Sequence, residues 1–140
     1  MDVARISAIP LFADLPEHDR ALIAEAAAES EASAGEALVT EGDFGYALYA
    51  IESGTAVVMH DGDEIRTLGP GDVFGEIAVI ASGRRTATVL ATSPMRLITL
   101  FNRDVWRLER TAPDAAKRLR ALIEGRRSLG DPRRPAAETS

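Results

Sequence analysis

The spacing of apolar residues changes twice along the chain, and each change marks a different kind of predicted structure. In the N-terminal part, apolar positions recur at helical spacing after Pro16, and Glu17 and Asp19 suit the positive end of a helix dipole. This pattern predicts a helix from Pro16 to Glu29. A short helical turn precedes it, in an apolar run that Pro10 interrupts.

Glycines become frequent from Ala34 onwards and separate short runs that are rich in β-branched and other apolar residues. Turn residues at such short intervals are typical of a compact antiparallel sandwich or barrel. The runs predict strands at residues 37–40, 46–51, 55–59, 65–68, 86–90 and 96–101.

Helical spacing returns after the last predicted strand. Asn102 is the expected N-cap of a helix, and Pro113 ends this helix and begins a second one that runs to about residue 127. The buried stripe of the first helix is expected to contain Val105, Trp106 and Leu108.

These elements predict one α+β domain, mainly β, over residues 1–128. Helices occupy residues 1–33, a small antiparallel β-roll occupies residues 34–101, and two helices occupy residues 102–128. Residues 129–140 contain two prolines and almost no apolar side chains, so we expect a disordered tail.

The composition excludes several classes of function. Hydrophobic residues make up 46% of the 140 residues and charged residues 27%, as in ordinary globular proteins. The chain has no cysteine, which excludes disulfides, zinc–thiolate sites, iron–sulfur clusters and a catalytic thiol. His18 and His60 are the two histidines, too few for a cupin-type metal centre, so we expect no metal. Because the sequence also lacks a P-loop and a Gly-x-Ser-x-Gly motif, we expect no enzymatic activity.

The charge is distributed unevenly around a net value of -6. Residues 1–76 contain 3 basic and 16 acidic side chains, whereas residues 77–140 contain 13 basic and 6 acidic ones. The acidic first part argues against nucleic-acid binding, which depends on clustered Lys and Arg. No apolar stretch approaches the roughly 20 residues of a membrane helix, and the N-terminus lacks the order of a signal peptide. We therefore expect a cytoplasmic protein without membrane contact.

Residues 69–89 carry the candidate chemistry. Gly75 allows the backbone to approach a ligand closely, and the short run after Glu76 suits a helical turn whose free N–H groups point at an anion. Arg85 follows Glu76 by nine residues. A guanidinium can donate paired hydrogen bonds to two phosphate oxygens, whereas a carboxylate can only accept, for example from a sugar hydroxyl. The two groups together suit a ribose cyclic phosphate.

The same segment resembles the phosphate-binding cassette, here residues 74–89, of cyclic nucleotide-binding domains, the modules of the catabolite activator, protein kinase A regulatory subunits and cyclic-nucleotide-gated channels. The resemblance rests on Phe-Gly-Glu-Ile-Ala at residues 74–78 and Arg-Thr-Ala-Thr-Val at residues 85–89. It extends over most of the chain, because further segments match the family's landmarks in order. These are residues 10–15, 35–43, 47–54 and 68–72.

The resemblance implies that the β-roll at residues 34–101 is an antiparallel double-stranded β-helix of the jelly-roll type, and that cAMP or cGMP is the ligand. It assigns the cyclic phosphate to Arg85 and the ribose 2′-hydroxyl to Glu76, with backbone N–H groups of Ala78 and Thr86 completing the phosphate shell. Thr86 carries a hydroxyl where many cAMP-binding relatives have alanine, a difference associated with acceptance of cGMP. The expected ligand-binding residues are Gly75, Glu76, Ile77, Ala78, Arg85, Thr86 and Ala87.

The nucleobase is expected to lie against apolar residues of the β-roll and under the last helix, as the resemblance implies. The β-roll residues are Val58 and Leu68, and the helix residues are drawn from Arg118, Leu119, Leu122 and Ile123.

Other conspicuous residues receive structural interpretations. We expect Trp106 and three further aromatic residues, Phe12, Phe44 and Tyr49, in the core. His18 is expected to be exposed, His60 to be a turn residue, and Arg84 to be a solvated charge.

The predicted function is a stand-alone cyclic nucleotide sensor that signals to an unidentified protein effector by rearranging its C-terminal helices. Few residues follow the last helix, so we expect no helix-turn-helix after it, and a monomer or a weak dimer through this helix. The alternative is an orphan scaffold of the same fold that binds no nucleotide. In that case, the basic last helix, residues 117–127, docks on an acidic partner.

Overall fold

The computed structural model describes residues 1–75 and 84–130. Three short helices begin the chain: α1 (Val3–Ser7), α2 (Pro10–Ala13) and α3 (Glu17–Ala26). Asp2 caps α1, since its Oδ1 accepts a hydrogen bond from the backbone N–H of Ala4 at 2.9 Å. Pro10 and Pro16 stand at helix starts, where the missing N–H of proline costs nothing.

Helix α3 ends three residues before the predicted boundary, and the chain turns directly into strand β1 (Ala28–Ala32). Ala27 already has an extended backbone, with φ -73° and ψ 150°. Strand β1 pairs antiparallel with β8 (Met95–Phe101), from Ala28 opposite Thr99 to Ala32 opposite Met95. The alanine-rich and glutamate-rich sequence favours a helix locally, but pairing with a distant strand overrides this preference.

The remaining strands confirm the predicted β-roll. They are β2 (Ala37–Val39), β3 (Ala47–Ser53), β4 (Ala56–His60), β5 (Asp63–Leu68), β6 (Val73–Phe74) and β7 (Thr88–Ala91). Two four-stranded antiparallel sheets result, with the orders β1-β8-β3-β6 and β2-β7-β4-β5. The sequence pattern missed β6 because two residues are too few to show an alternation of apolar and polar positions.

Two separate cores form, one on each face of the sheet that contains β3. The first, here called the helical core, joins one face of this sheet to the helices through residues such as Phe12, Leu48 and Ile98. The second, the inter-sheet core, lies between the two sheets and includes Ile51 and Leu97. Neighbouring residues of a strand point to opposite faces, so β3 and β8 contribute to both cores.

The chain ends in the described part with α4 (Asn102–Thr111) and α5 (Pro113–Gly130). Phe101, not Asn102, occupies the N-cap position of α4; Asn102 is the first helical residue, and its N–H donates to the carbonyl of Tyr46 at 2.9 Å. Within the described residues, no helix has the length and apolar character needed to cross a bilayer. Leu129 and Gly130, which were assigned to the predicted tail, belong to α5, and the rest of that tail, residues 131–140, lies outside the described residues.

Two of the aromatic residues expected in the core are exposed instead. Trp106 is 45% exposed and Phe44 is 55% exposed, whereas Phe12 is buried as predicted. Val105 takes the buried position on α4, and the next residue of a helix points about 100° away from it. Tyr49 is half-buried and stacks on Phe74, with ring centroids 5.1 Å apart.

Candidate ligand-binding site

Arg85, the residue assigned to a phosphate, lies with its side chain turned inward at the ends of two strands. Its Nη1 donates to the carbonyl of Gly75 at 3.0 Å, just after β6. Its Nη2 donates to the carbonyl of Ala47 at 2.9 Å, at the first residue of β3. The guanidinium is therefore held in one place by two backbone acceptors.

Gly75 makes this placement of the guanidinium possible. Its backbone has φ +78°, in the left-handed region that residues with a Cβ rarely adopt. A Cβ at this position would lie 2.7 Å from Nη1 of Arg85 and 2.8 Å from the carbonyl oxygen of Ala47. Glycine is thus required here both by the backbone and by the space that Arg85 occupies.

The backbone of Arg85 is held by the turn at residues 41–43. The N–H of Arg85 donates to the carbonyl of Asp43 at 2.5 Å, and the carbonyl of Arg85 accepts from the N–H of Gly42 at 2.9 Å. One step further, the N–H of Glu41 donates to Oγ1 of Thr88 at 2.9 Å. The turn therefore fixes the chain at the start of β7, and the sequence pattern did not predict this role.

Arg84 was expected to be a solvated charge. It is exposed, as expected, but its side chain also makes two contacts with the protein. Its Nη1 donates to the carbonyl of Gly42 at 2.7 Å. Its guanidinium also lies over the ring of Phe44, 4.4 Å from the centroid, a cation–π geometry. Arg84 therefore stabilises the turn at residues 41–43 from the solvent-exposed side.

His60, expected to be an inert turn residue, lies at the end of β4 and contacts the site. Its Nδ1 is 2.9 Å from the carbonyl oxygen of Thr86. Two carboxylates surround the ring: Oε2 of Glu41 is 3.7 Å from Nδ1, and Oδ2 of Asp61 is 3.4 Å from Nε2. No sequence motif indicates this contact, because it joins residues 26 positions apart.

The remaining cassette residues divide into two groups. Thr86 and Ala87 follow Arg85 directly in the chain; Thr86 is half-buried and Ala87 is buried. Glu76, Ile77 and Ala78 lie outside the described residues.

The residues expected to contact a nucleobase lie in different cores. Val58 and Leu68 belong to the inter-sheet core, where they share one buried apolar cluster with Phe74 and Ala87 of the cassette. The four candidates on α5 lie on the other side of the sheet instead. Leu119 and Ile123 are fully buried in the helical core, Leu122 packs against this core, and Arg118 forms an ion pair with Asp19.

The four residues on α5 are thus not brought together with Val58 and Leu68 in this structure. A contact between them and a base would require α5 to leave the N-terminal helices.

Comparison with known proteins identifies the family. The family model described as "Cyclic nucleotide-binding domain" matches residues 29–111, more than half of the chain. A cAMP-dependent protein kinase regulatory subunit of Yarrowia lipolytica is 37% identical over 90 residues, which are 64% of this chain and 24% of the relative. The Cyclic AMP receptor protein of Thermus thermophilus is 37% identical over 97 residues, which are 66% of this chain and 45% of the relative. The chain thus spans about a quarter to a half of the length of these curated relatives, whose names describe regulatory and receptor proteins.

Solved structures agree with this result. The N-terminal domain of a transcriptional regulator from Streptomyces coelicolor superposes with a TM-score of 0.75 at 30% identity, covering 94% of this chain and 96% of that one. A regulatory subunit of a cAMP-independent protein kinase A from Trypanosoma cruzi, bound to guanosine, superposes with a TM-score of 0.76 at 26% identity, covering 93% and 44%. The sequence match and the β-roll with its helices lead to one conclusion: the chain belongs to the cyclic nucleotide-binding domain family.

Proposed function

We propose that this domain binds cAMP or cGMP and that Arg85 pairs with the cyclic phosphate. The observation that carries the proposal is the position of its guanidinium, held by the carbonyls of Gly75 and Ala47 at the edge of the cassette. An arginine in a fixed orientation forms paired hydrogen bonds to phosphate with little further loss of side-chain entropy.

The rest of the nucleotide is assigned as the resemblance to the family implies. The carboxylate of Glu76 accepts a hydrogen bond from the ribose 2′-hydroxyl, and Gly75 and Ile77 shape the ribose contact. Backbone N–H groups of Ala78 and Thr86 complete the phosphate shell. The base lies against apolar residues of the β-roll, Val58 and Leu68, as the family resemblance implies.

Signalling is proposed to pass from Arg85 to α4 through two consecutive residues. The carbonyl of Ala47 accepts from the Arg85 guanidinium, and the preceding carbonyl, that of Tyr46, accepts from the first N–H of α4. The remaining N–H groups of the guanidinium pair with the phosphate, so ligand binding acts on the start of β3, where α4 is attached. The ligand shifts the helices only by its difference in affinity between the two arrangements.

The scaffold alternative, in which the basic face of α5 docks on an acidic partner, receives less support. Two of its cations already have acidic partners in the chain: Arg118 with Asp19 and Arg120 with Glu109, the latter at 2.8 Å. Internal pairing reduces the positive charge that this face presents to another protein.

The deciding experiment is a titration of the purified protein with cAMP, cGMP and guanosine, the last because one structural relative binds it. A nucleotide at 100 times its Kd should add about 2.7 kcal/mol to the free energy of unfolding, a shift that thermal denaturation detects. No shift with any of the three ligands would contradict the proposal and favour the scaffold. Size-exclusion chromatography before and after nucleotide addition tests the expected monomer or weak dimer.

Removal of the guanidinium identifies the phosphate contact. Arg85→Ala should leave the fold intact and weaken cyclic nucleotide binding by at least about 30-fold, because an unpaired buried phosphate costs about 2 to 5 kcal/mol. Glu76→Gln should cost less, since an amide oxygen still accepts a hydrogen bond. Arg96→Ala, which removes an exposed arginine of β8, is the control and should leave the affinity unchanged. Equal Kd values for Arg85→Ala and the wild type by calorimetry would refute the assignment.

A further inference from the structure

We propose that His60 is a positioning residue of the nucleotide site, which acts by holding the backbone of Thr86. This inference rests on the proposed function, since it assigns a role in the same site. The imidazole lies on β4, whereas Thr86 lies 26 residues further along the chain, so the contact is made by the fold.

The direction of the hydrogen bond follows from its partner. A backbone carbonyl only accepts, so Nδ1 of His60 carries the proton and donates to the Thr86 oxygen at 2.9 Å. The carboxylate of Glu41 lies beside this N–H, with its Oε2 3.7 Å from the same nitrogen. The N–H of Asp61 donates to Oε1 of Glu41 at 3.2 Å, which keeps this carboxylate beside the ring.

The two peptide planes on either side of Thr86 are both anchored. The plane between Arg85 and Thr86 is held by the bond from the N–H of Gly42 to the Arg85 carbonyl, at 2.9 Å. The plane between Thr86 and Ala87 is held by His60. With both planes anchored, the two backbone dihedral angles of Thr86 have little freedom.

These two anchors, the N–H of Gly42 and the imidazole of His60, are here called the Thr86 clamp, and together they set the direction of the Thr86 N–H. The chain contains no cis peptide in its described part, so the N–H of Thr86 points opposite to the Arg85 carbonyl, away from Gly42. Among the residues that the structure describes, this N–H has no hydrogen-bond partner. It is therefore oriented by the clamp and suited to receive a phosphate oxygen, a preorganisation that raises affinity. His60 is the side-chain part of this clamp, because Gly42 contributes only its backbone.

Two substitutions of His60 test the inference. His60→Leu keeps a side chain of similar reach but removes the donor, and it should weaken cyclic nucleotide binding about fivefold, the worth of one hydrogen bond. His60→Asn places an amide nitrogen near the position of Nδ1 and should bind within about twofold of the wild type. The exposed histidine, His18, provides the control, because His18→Leu should leave the Kd unchanged.

All titrations are done at a temperature at which circular dichroism confirms that each variant is folded, and His60→Ala replaces the leucine variant if that variant does not fold. Asparagine fills less space than leucine, so a general loss of packing would weaken binding at least as much in His60→Asn as in His60→Leu. Near-wild-type affinity in His60→Asn therefore shows that the hydrogen bond to Thr86 is what matters. Wild-type affinity in the leucine or alanine variant, or equal weakening in the leucine and asparagine variants, would overturn the inference. If the wild type itself binds none of the nucleotides, the proposed function fails instead.

Discussion

Asp19 and Arg118 form a bidentate ion pair across 99 residues of sequence, with Nε–Oδ2 at 2.6 Å and Nη2–Oδ1 at 3.0 Å. The Asp19 side chain is 1% exposed, whereas that of Arg118 is 48% exposed. This pair joins α3 to α5 beside Leu119 and Ile123, which are fully buried in the helical core. It therefore attaches the beginning of the last helix to the N-terminal helices.

The unequal burial of the two partners predicts an unequal cost of removing them. Asp19→Ala should lower the free energy of unfolding by about 1.5 to 3 kcal/mol, the range for a hydrogen bond to a charged group, because Arg118 can still reach water. Arg118→Ala should cost more, since it leaves a buried carboxylate without its partner. Urea unfolding measures both.

The control on the same helix is Arg120→Ala, which breaks an ion pair whose partners are 34% and 37% exposed. Its effect should stay within about 1 kcal/mol. If Arg118→Ala were no more destabilising than Asp19→Ala, the pair would not act as a buried anchor.

The same pair predicts a loss of stability in acid. Hydrogen bonds from Arg118 lower the pKa of Asp19 below its ordinary value of 3.8, and hydrogen bonds from Arg5 lower the pKa of Glu52 below its ordinary value of 4.5. Folding thus favours the charged carboxylates, so their contribution is complete above the ordinary values and is lost as the pH falls through and below them. The free energy of unfolding should decrease from about pH 4 downwards. Asp19→Asn should make this decrease shallower; an unchanged slope in urea unfolding at pH 4 and pH 3 would speak against it.

The close approach of Gly75 to Arg85 predicts that alanine is not tolerated at this position. Gly75→Ala places a Cβ 2.7 Å from Nη1 of Arg85 and strains a backbone at φ +78°, so both stability and cyclic nucleotide affinity should fall. Gly35→Ala is the matched control, since Gly35 has φ +89° and no atom within 4 Å of the added Cβ. Gly35→Ala should lower the free energy of unfolding by about 1 kcal/mol and leave the affinity for cyclic nucleotide unchanged. Calorimetry that finds the same Kd for both variants would exclude the proposed role of Gly75.

The exposure of Trp106 supplies a test of the proposed helix movement. It is the one tryptophan of the chain, lies on α4 and is 45% exposed, so its fluorescence reports on this helix. Addition of the bound nucleotide should shift its emission in the wild type, and the shift should be absent in Arg85→Ala at the same ligand concentration. Saturation of the wild type without any spectral change would argue that α4 does not move.

Local patterns in the sequence predicted a β-roll between helical segments, although they missed strands β1 and β6. Frequent glycines and short apolar runs require tight turns between strands, and this predicted the β-roll without knowledge of strand pairing. Gly75 and Arg85 stand close together in the sequence, and the structure brings the Arg85 guanidinium to the Gly75 carbonyl; their role in binding an anion stays a prediction. Phe12 was predicted to be buried and is buried.

Tertiary structure alone decided the contacts between distant segments. The alanine-rich residues 28–32 favour a helix, and only the pairing with β8 makes them a strand. Asp19 appears in the sequence as one more acid of a first helical turn, and its burial depends on an arginine 99 residues away. His60 makes its contact in the same way, with the carbonyl of Thr86, 26 residues further along the chain. Spacing within one element determines which residues share a face, whereas the partner of that face is selected by the packing of the whole chain.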